Sequence, residues 1–239
     1  YLDTAIGYKN CDYNLGKIGV KKWNIITKIN FPNRTDNKNI IQKILISKKK
    51  LRIKKFYAIL VHNPFSVKKN FFLNNYKNLL KLKKMGITKK IGISVYGVEN
   101  LSFFISKVKP DIVQTSFNIF DQRILNFLNK KKIKKIEFFV RSIFLQGLLI
   151  QKKIPKKFNK FSPYLKKLET ICNKNNINKV ELLINFLKNQ KKIKNFIFGV
   201  NSINQLKEIV REVKSKRIIK IDYRKISSNK INFIDPRVW

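Results

Sequence analysis

The sequence predicts an α/β fold of parallel β/α units, most simply a (β/α)8 TIM barrel that lacks its first β/α unit. Seven short apolar runs alternate with helical stretches, and the first run starts at Tyr1. No G-x-G-x-x-G follows any run, which disfavours an open doubly wound sheet, the alternative architecture. Because a barrel without its first unit leaves two strand edges unpaired, we expect either a longer natural amino terminus or an unstable isolated chain.

In the first part of the chain, strands and helices are predicted from apolar runs and from apolar spacing. The third run, residues 56–62, is almost entirely apolar, as strands covered on both faces are. Residues 39–51 carry isoleucine and leucine at helical spacing. The predicted strands are residues 1–4, 23–28, 56–62 and 91–94. The predicted helices are residues 39–51, 74–84 and 98–107, and residues 10–18 are predicted to form a short helix or a turn.

The second part continues the alternation and ends in a segment without a clear period. Ser202 is expected to cap the last long helix, which runs to about Lys214. Residues 216–239 form a C-terminal tail that we expect to pack over the outside or an end of the barrel, within a single domain of residues 1–239. The predicted strands are residues 111–114, 136–140 and 195–199. The predicted helices are residues 122–130, 161–173 and 179–189.

The composition indicates a globular protein without a membrane span. Hydrophobic residues make up 44% of the 239 residues, which excludes a disordered chain. No apolar run approaches the roughly 18 residues that a transmembrane helix needs, and we expect no signal peptide. Cys11 and Cys172 are too few for a disulfide framework. We therefore expect a cytoplasmic location.

The formal net charge of +41 has two interpretations. The protein could bind a polyanion such as nucleic acid. Alternatively, Lys, Asn, Ile and Phe are abundant together because they share A/T-rich codons. The lysines are spread along the whole chain rather than gathered into one tail or one helix face, which favours the second interpretation and argues against nucleic acid as a partner.

Polar residues suited to one reaction follow four of the predicted strands. Parallel barrels carry their catalytic groups at the carboxyl ends of the strands. The residues at these ends are Asp3, with Tyr8 just beyond it, Lys28, His62 and Ser94. A tyrosine titrates near pH 10, a nearby ammonium lowers that value, and a carboxylate holds the ammonium in place. An imidazole can orient a carbonyl oxygen. Each residue alone has a structural interpretation, but together they predict carbonyl reduction by hydride.

The same positions carry a family's motifs in order. D-T-A-x-x-Y lies at residues 3–8, T-K at 27–28, and V-H-N-P, for the usual L-H-x-P, at 61–64. I-G-I-S at 91–94, R-S at 141–142 and F-G-V-N-S at 198–202 follow. The chain thus resembles the aldo-keto reductases over residues 1–209. The resemblance implies a (β/α)8 barrel, NADPH or NADH as cofactor, Tyr8 as proton donor tuned by Lys28 and Asp3, and His62 positioning the substrate.

The resemblance also implies which residues hold the cofactor. Ser94, Gln114 and Asn118 would hold or underlie the nicotinamide. Arg141 and Ser142 would lie along the ring and the pyrophosphate. The adenosine end would meet Gly199, Ser202, Gln205 and Glu208. Family members that favour NADPH often carry basic residues where this chain has Gly199 and Gln205, so the preference between NADPH and NADH stays open.

The sequence therefore predicts NAD(P)H-dependent reduction of a small aldehyde, ketone or sugar carbonyl, without a metal. Two alternatives stay open. The first is a cofactor-binding partner subunit that keeps the fold without useful turnover, which a panel of carbonyl compounds would reveal. The second is a basic polyanion-binding protein, whose affinity for nucleic acid would fall steeply with salt.

Overall fold

The computed structural model describes residues 1–31, 37–131, 133, 135–151 and 153–239. They form two compact units. The first unit contains Tyr1–Thr115 and Ile133–Phe138, and the second contains Ser116–Lys132 and Phe139–Trp239. Two strands, β5 (Ile112–Ser116) and β6 (Glu137–Arg141), contribute residues to both units.

The first unit is built from parallel strands joined by helices. Its other strands are β1 (Leu2–Asp3), β2 (Ile25–Ile29), β3 (Phe56–His62) and β4 (Thr88–Ser94). They lie in chain order from β1 to β5 and pair in parallel. The helices are α1 (Cys11–Ile18), α2 (Asn37–Lys50), α3 (Lys69–Lys84) and α4 (Leu101–Val108). Each helix links one strand to the next, as parallel pairing requires.

The second unit repeats the same pattern. Here β6 pairs in parallel with the short strand β7 (Asn195–Phe196). The helices are α5 (Arg123–Lys130), α6 (Ser162–Lys174), α7 (Lys179–Lys188), α8 (Ile203–Lys214) and the one-turn α9 (Ile231–Ile234). Helix α7 is buried along most of its length, because its apolar residues occupy nearly every position from Val180 to Leu187.

The core of the first unit lies on β2 and β3, and nearly all of their residues are buried. Strands this apolar are stable only when both faces are covered. Gly92 in β4 lies where the backbone of β5 approaches too closely for a side chain. A Cβ at this position would lie 2.1 Å from the carbonyl oxygen of Ile112, so only glycine allows β4 and β5 to approach this closely.

The predicted alternation of strands and helices is confirmed, but several elements differ in length from the prediction. Strand β4 begins three residues before its predicted start, and α4 begins three residues after its own. Helix α3 begins at Lys69, five residues before the predicted start, because Phe72 on its first turns is buried against the rings of Phe104 and Tyr76. Strand β7 has two residues instead of the predicted five, although the N–H of Ile197 still donates to the carbonyl of Val140 at 2.7 Å.

The C-terminal tail is folded against the second unit. It contains two 3₁₀ turns, at Tyr223–Ile226 and Pro236–Val238, on either side of α9. Phe233 is fully buried and contacts aromatic rings of the same unit, as does Trp239. The sequence of the tail has no helical period because its buried residues lie in three separate short turns and not along one face of a single helix.

The architecture is thus α/β, with seven strands in the part of the chain that the structure describes. The number of β/α units in the complete barrel stays a prediction. Within the same residues, no helix is both long and apolar enough to cross a membrane.

Candidate active site

The segment that follows β1 is held against β2 by backbone hydrogen bonds. The N–H of Thr4 donates to the carbonyl of Ile26 at 2.8 Å, and that of Ile6 donates to the carbonyl of Lys28 at 2.9 Å. The N–H of Tyr8 then donates to the carbonyl of Ala5 at 2.9 Å and closes a turn. These bonds fix the path of the D-T-A-I-G-Y segment past the end of β2.

Asp3 and Lys28 form an ion pair at this edge of the sheet. Lys28 Nζ lies 2.5 Å from Asp3 Oδ2 and also donates to the carbonyl of Thr4 at 2.8 Å. The Lys28 side chain is 2% exposed and that of Asp3 is 14% exposed. An ammonium this buried is tolerated only with a charged partner and further hydrogen bonds, and both are present here.

Tyr8 lies beside this ion pair and is open to solvent. The ammonium of Lys28 is 5.6 Å from the centroid of the Tyr8 ring, within the range of a cation–π contact. Tyr8 is 48% exposed, whereas Lys28 is covered. A ligand can therefore reach the phenol from solvent, while the charges beneath it stay shielded from water.

Gln114 connects the ion pair to Ser94. Its Nε2 donates to Asp3 Oδ1 at 2.9 Å, and its Oε1 accepts from Ser94 Oγ at 3.1 Å. Both Gln114 and Ser94 are buried. The two carboxylate oxygens of Asp3 therefore have different donors, Lys28 for Oδ2 and Gln114 for Oδ1.

His62 ends β3 at the same edge. In the sheet register, His62 is opposite Ser94 on β4, and Lys28 is opposite Leu60 on β3. The next residue, Asn63, has a φ of 54° and donates its N–H to the carbonyl of Ser94 at 3.1 Å, which ends the strand. His62 is half-buried.

A second layer of polar contacts fixes the D-T-A segment against α1 and α2. Asp12 is buried and accepts from Thr4 Oγ1 at 3.2 Å and from Ser47 Oγ at 2.7 Å. Sequence reasoning missed Ser47, although a signal existed. Ser47 continues the apolar stripe of Ile40 and Ile44 on α2, where a small polar residue needs a buried partner.

In the second unit, Asn118, Arg141 and Ser142 lie together. Asn118 Nδ2 donates to the carbonyl of Ser142 at 3.3 Å, and its Oδ1 accepts from two backbone N–H groups, those of Phe120 and Asp121. Arg141 donates to Ser142 Oγ at 3.3 Å. Ser142 has a φ of 59°, a left-handed conformation that is uncommon for residues other than glycine.

The predicted residues around α8 form a separate group in the second unit. Ser202 caps α8 as predicted, because its Oγ accepts from the N–H of Gln205 at 3.2 Å. Gln205 Oε1 in turn accepts from the N–H of Asn201 at 2.8 Å. Gly199 is exposed, and Glu208 is half-buried.

Each unit thus gathers its own predicted residues. The first unit brings Asp3, Tyr8, Lys28, His62, Ser94 and Gln114 to the carboxyl ends of its strands. The second unit holds the Asn118 group and the Ser202 group. The roles of these residues in binding and catalysis stay predictions.

Comparisons with known proteins identify the family and the fold. The sequence profile of the Aldo/keto reductase family matches residues 1–229. The chain is similar to the holo form of aldo-keto reductase AKR11C1 from Bacillus halodurans, with a TM-score of 0.77, 18% identity and coverage of 95% of this chain and 80% of that chain. No curated protein sequence matches the chain significantly.

Two further solved structures have the same fold. The chain resembles the thermostable aldo-keto reductase Tm1743 in complex with the inhibitor epalrestat, with a TM-score of 0.71, 16% identity and coverage of 95% and 80% of the two chains. It also resembles a variant of Gox0644 in complex with NADPH, with a TM-score of 0.68, 20% identity and coverage of 95% and 79%.

The profile covers nearly the whole chain, and the motifs from which the resemblance was inferred lie within it. The prediction from the sequence is therefore confirmed: the chain belongs to the aldo/keto reductase family, and its enzyme class is that of the NAD(P)H-dependent oxidoreductases.

Proposed function

We propose that the chain reduces the carbonyl group of a small aldehyde, ketone or sugar to an alcohol, with NADPH as the preferred cofactor and Tyr8 as the proton donor. The observation that carries the proposal is the arrangement of the exposed Tyr8 phenol beside the buried Lys28–Asp3 ion pair. The expected location is the cytoplasm.

The residues present fit a nicotinamide cofactor. Ser94 and Gln114 are buried and hydrogen-bonded to each other, but the Ser94 hydroxyl oxygen can accept a further hydrogen bond and the Gln114 amide can donate one, a set that would suit the carboxamide of the nicotinamide. In the second unit, the N-terminus of the twelve-residue helix α8 suits a phosphate group. When bound, the cofactor supplies the hydride.

The chain's own residues supply the proton. Tyr8 would donate its hydroxyl proton to the carbonyl oxygen of the substrate as negative charge develops there. The Lys28 ammonium would stabilise the resulting phenolate, and the ion pair with Asp3 holds that ammonium in place. His62 would hold the carbonyl oxygen in line with the phenol.

The choice of NADPH over NADH rests on two observations. The Gox0644 variant of similar fold was solved with NADPH. Lys207, an exposed residue on α8, offers a positive charge in the same helix as Gln205 and Glu208. A 2′-phosphate would gain from such a charge.

The substitution Tyr8→Phe tests the proton donor. We expect the kcat for carbonyl reduction to fall about 100- to 10,000-fold, because the ring is kept and only the proton-donating hydroxyl is removed. The Kd for NADPH should stay unchanged. Tyr13→Phe is the matched control, since Tyr13 is 49% exposed on α1 of the same unit and should keep full turnover.

Unchanged turnover in Tyr8→Phe would reject the assigned role of Tyr8. If the unmodified protein binds NADPH but reduces no compound in a broad carbonyl panel, the chain is instead a cofactor-binding partner subunit. Steady-state kinetics and cofactor titration on the same preparations separate these outcomes.

A further inference from the structure

The first unit contains a cavity of about 460 Å³ at the amino ends of β2, β3 and β4. Three segments build it: the residues before β2, the loop from α2 into β3, and the second residue of β4. Its volume lies within the range of small-molecule sites. Its basic lining residues are Lys21, Lys22, Arg52, Lys54, Lys55 and Lys89, and Trp23 lines it as well.

This cavity is separate from the candidate active site. Tyr57, at the start of β3, lines the cavity, whereas His62 ends the same strand at the active-site edge. Five residue steps along a strand span about 17 Å. A ligand in the cavity would therefore lie on the opposite edge of the sheet from Tyr8 and Lys28.

The lining of the cavity is strongly positive. Six of its eleven lining residues are Lys or Arg, and none is acidic. In the whole chain the proportion is 54 of 239, so the lining is richer in cations than the chain as a whole. Among the described residues, none of the six has a carboxylate partner, unlike Lys28, Lys83 and Lys90 of the same unit. Cations held together in this way repel one another until an anion neutralises them.

An aromatic ring lies among these cations. Trp23 lines the cavity and is 54% exposed, with Lys21 and Lys22 directly before it in sequence. An exposed indole beside basic side chains is the combination on which nucleotide bases stack while their phosphates meet the charges. Neither feature alone would select a nucleotide, but the two share one cavity here.

We propose that this cavity binds a nucleotide through its phosphate chain, with the base stacked on Trp23. The phosphates lie against Lys54, Lys55 and Arg52. The site is distinct from the one proposed for NADPH, and it requires no part of the second unit.

Fluorescence of Trp23 gives the test a local readout. The chain has two tryptophans, so a Trp239→Phe background leaves Trp23 as the only one. We would titrate this protein with ATP in the presence of saturating NADP⁺, which keeps the proposed cofactor site filled. We expect saturable quenching whose affinity falls as salt rises. Tripolyphosphate should bind at the same place but quench less, because it has no base to stack.

Charge reversal identifies the cavity as the site. In the same background, Lys54→Glu combined with Lys55→Glu should weaken ATP binding by about tenfold or more. The matched control combines Lys77→Glu with Lys107→Glu, which changes the net charge equally but at exposed residues that line a different cavity of the first unit. The control should bind ATP as the background protein does.

Three results would overturn the proposal. One is the absence of salt-sensitive quenching by ATP. Another is an equal loss of affinity in the two charge-reversal variants, which would assign the binding to overall charge. The third is binding of an oligothymidylate more than about tenfold tighter than ATP, which would indicate an extended nucleic-acid surface instead of a nucleotide site.

Discussion

At the scale of single residues, we expect Lys28 to contribute both to the stability of the fold and to the proposed reaction. Its side chain is 2% exposed, and its charge is neutralised by Asp3. Removing one member of a buried ion pair leaves the other charge without compensation, which costs more than the pair contributes. The same ammonium is the group expected to stabilise the Tyr8 phenolate.

Lys28→Met therefore carries a double prediction. We expect the free energy of unfolding to fall by about 3 kcal/mol, because Asp3 stays partly buried without its cation. Turnover of the folded variant should fall as well. Lys83→Met is the control: Lys83 pairs with Asp111, but the two side chains are 40% and 31% exposed, so the loss should stay below about 1 kcal/mol. Equal losses in urea unfolding of the two variants would contradict this account of the buried pair.

The residues of the site were predictable to different degrees. Asp3, Tyr8, Lys28 and His62 could be located because each follows an apolar run within a short motif. The double hydrogen bond of Gln114 could not, because its partners Asp3 and Ser94 are distant in sequence and meet only through the sheet register. Ser47 escaped notice because its partner Asp12 lies on another helix.

At the scale of elements, the tail shows what periodicity cannot reveal. Residues 216–239 have no helical or strand period, yet Phe233 is fully buried within 5.0 Å, centroid to centroid, of the rings of Phe120, Phe161 and Tyr164. A one-turn helix presents too few residues to generate a periodic pattern. The core role of the tail therefore depends on tertiary packing alone.

Phe233→Ala measures that role. We expect the free energy of unfolding to fall by about 3–5 kcal/mol, since the substitution empties a buried aromatic cluster. Ile231→Ala is the control on the same turn, because Ile231 is 45% exposed, and its effect should stay within about 1 kcal/mol. The free energy of unfolding of both variants is measured by chemical denaturation. Equal losses would show that α9 contributes as a whole and not through Phe233.

At the scale of the whole molecule, fold class and family followed from the order of the motifs along the chain. The alternation of strands and helices and the profile match over residues 1–229 agree with each other. The sequence alone did not show where the net charge of +41 gathers on the folded protein. The basic residues are dispersed over the whole sequence, and only the folded first unit shows that six of them, from three segments, share one cavity.

The most direct test of the central claim is a titration of the folded protein with NADPH and with NADH, followed by addition of a panel of carbonyl compounds. We predict saturable binding of one molecule per chain, tighter for NADPH, and oxidation of the bound cofactor by at least one aldehyde, ketone or sugar. A folded protein that binds neither cofactor would contradict the proposed function.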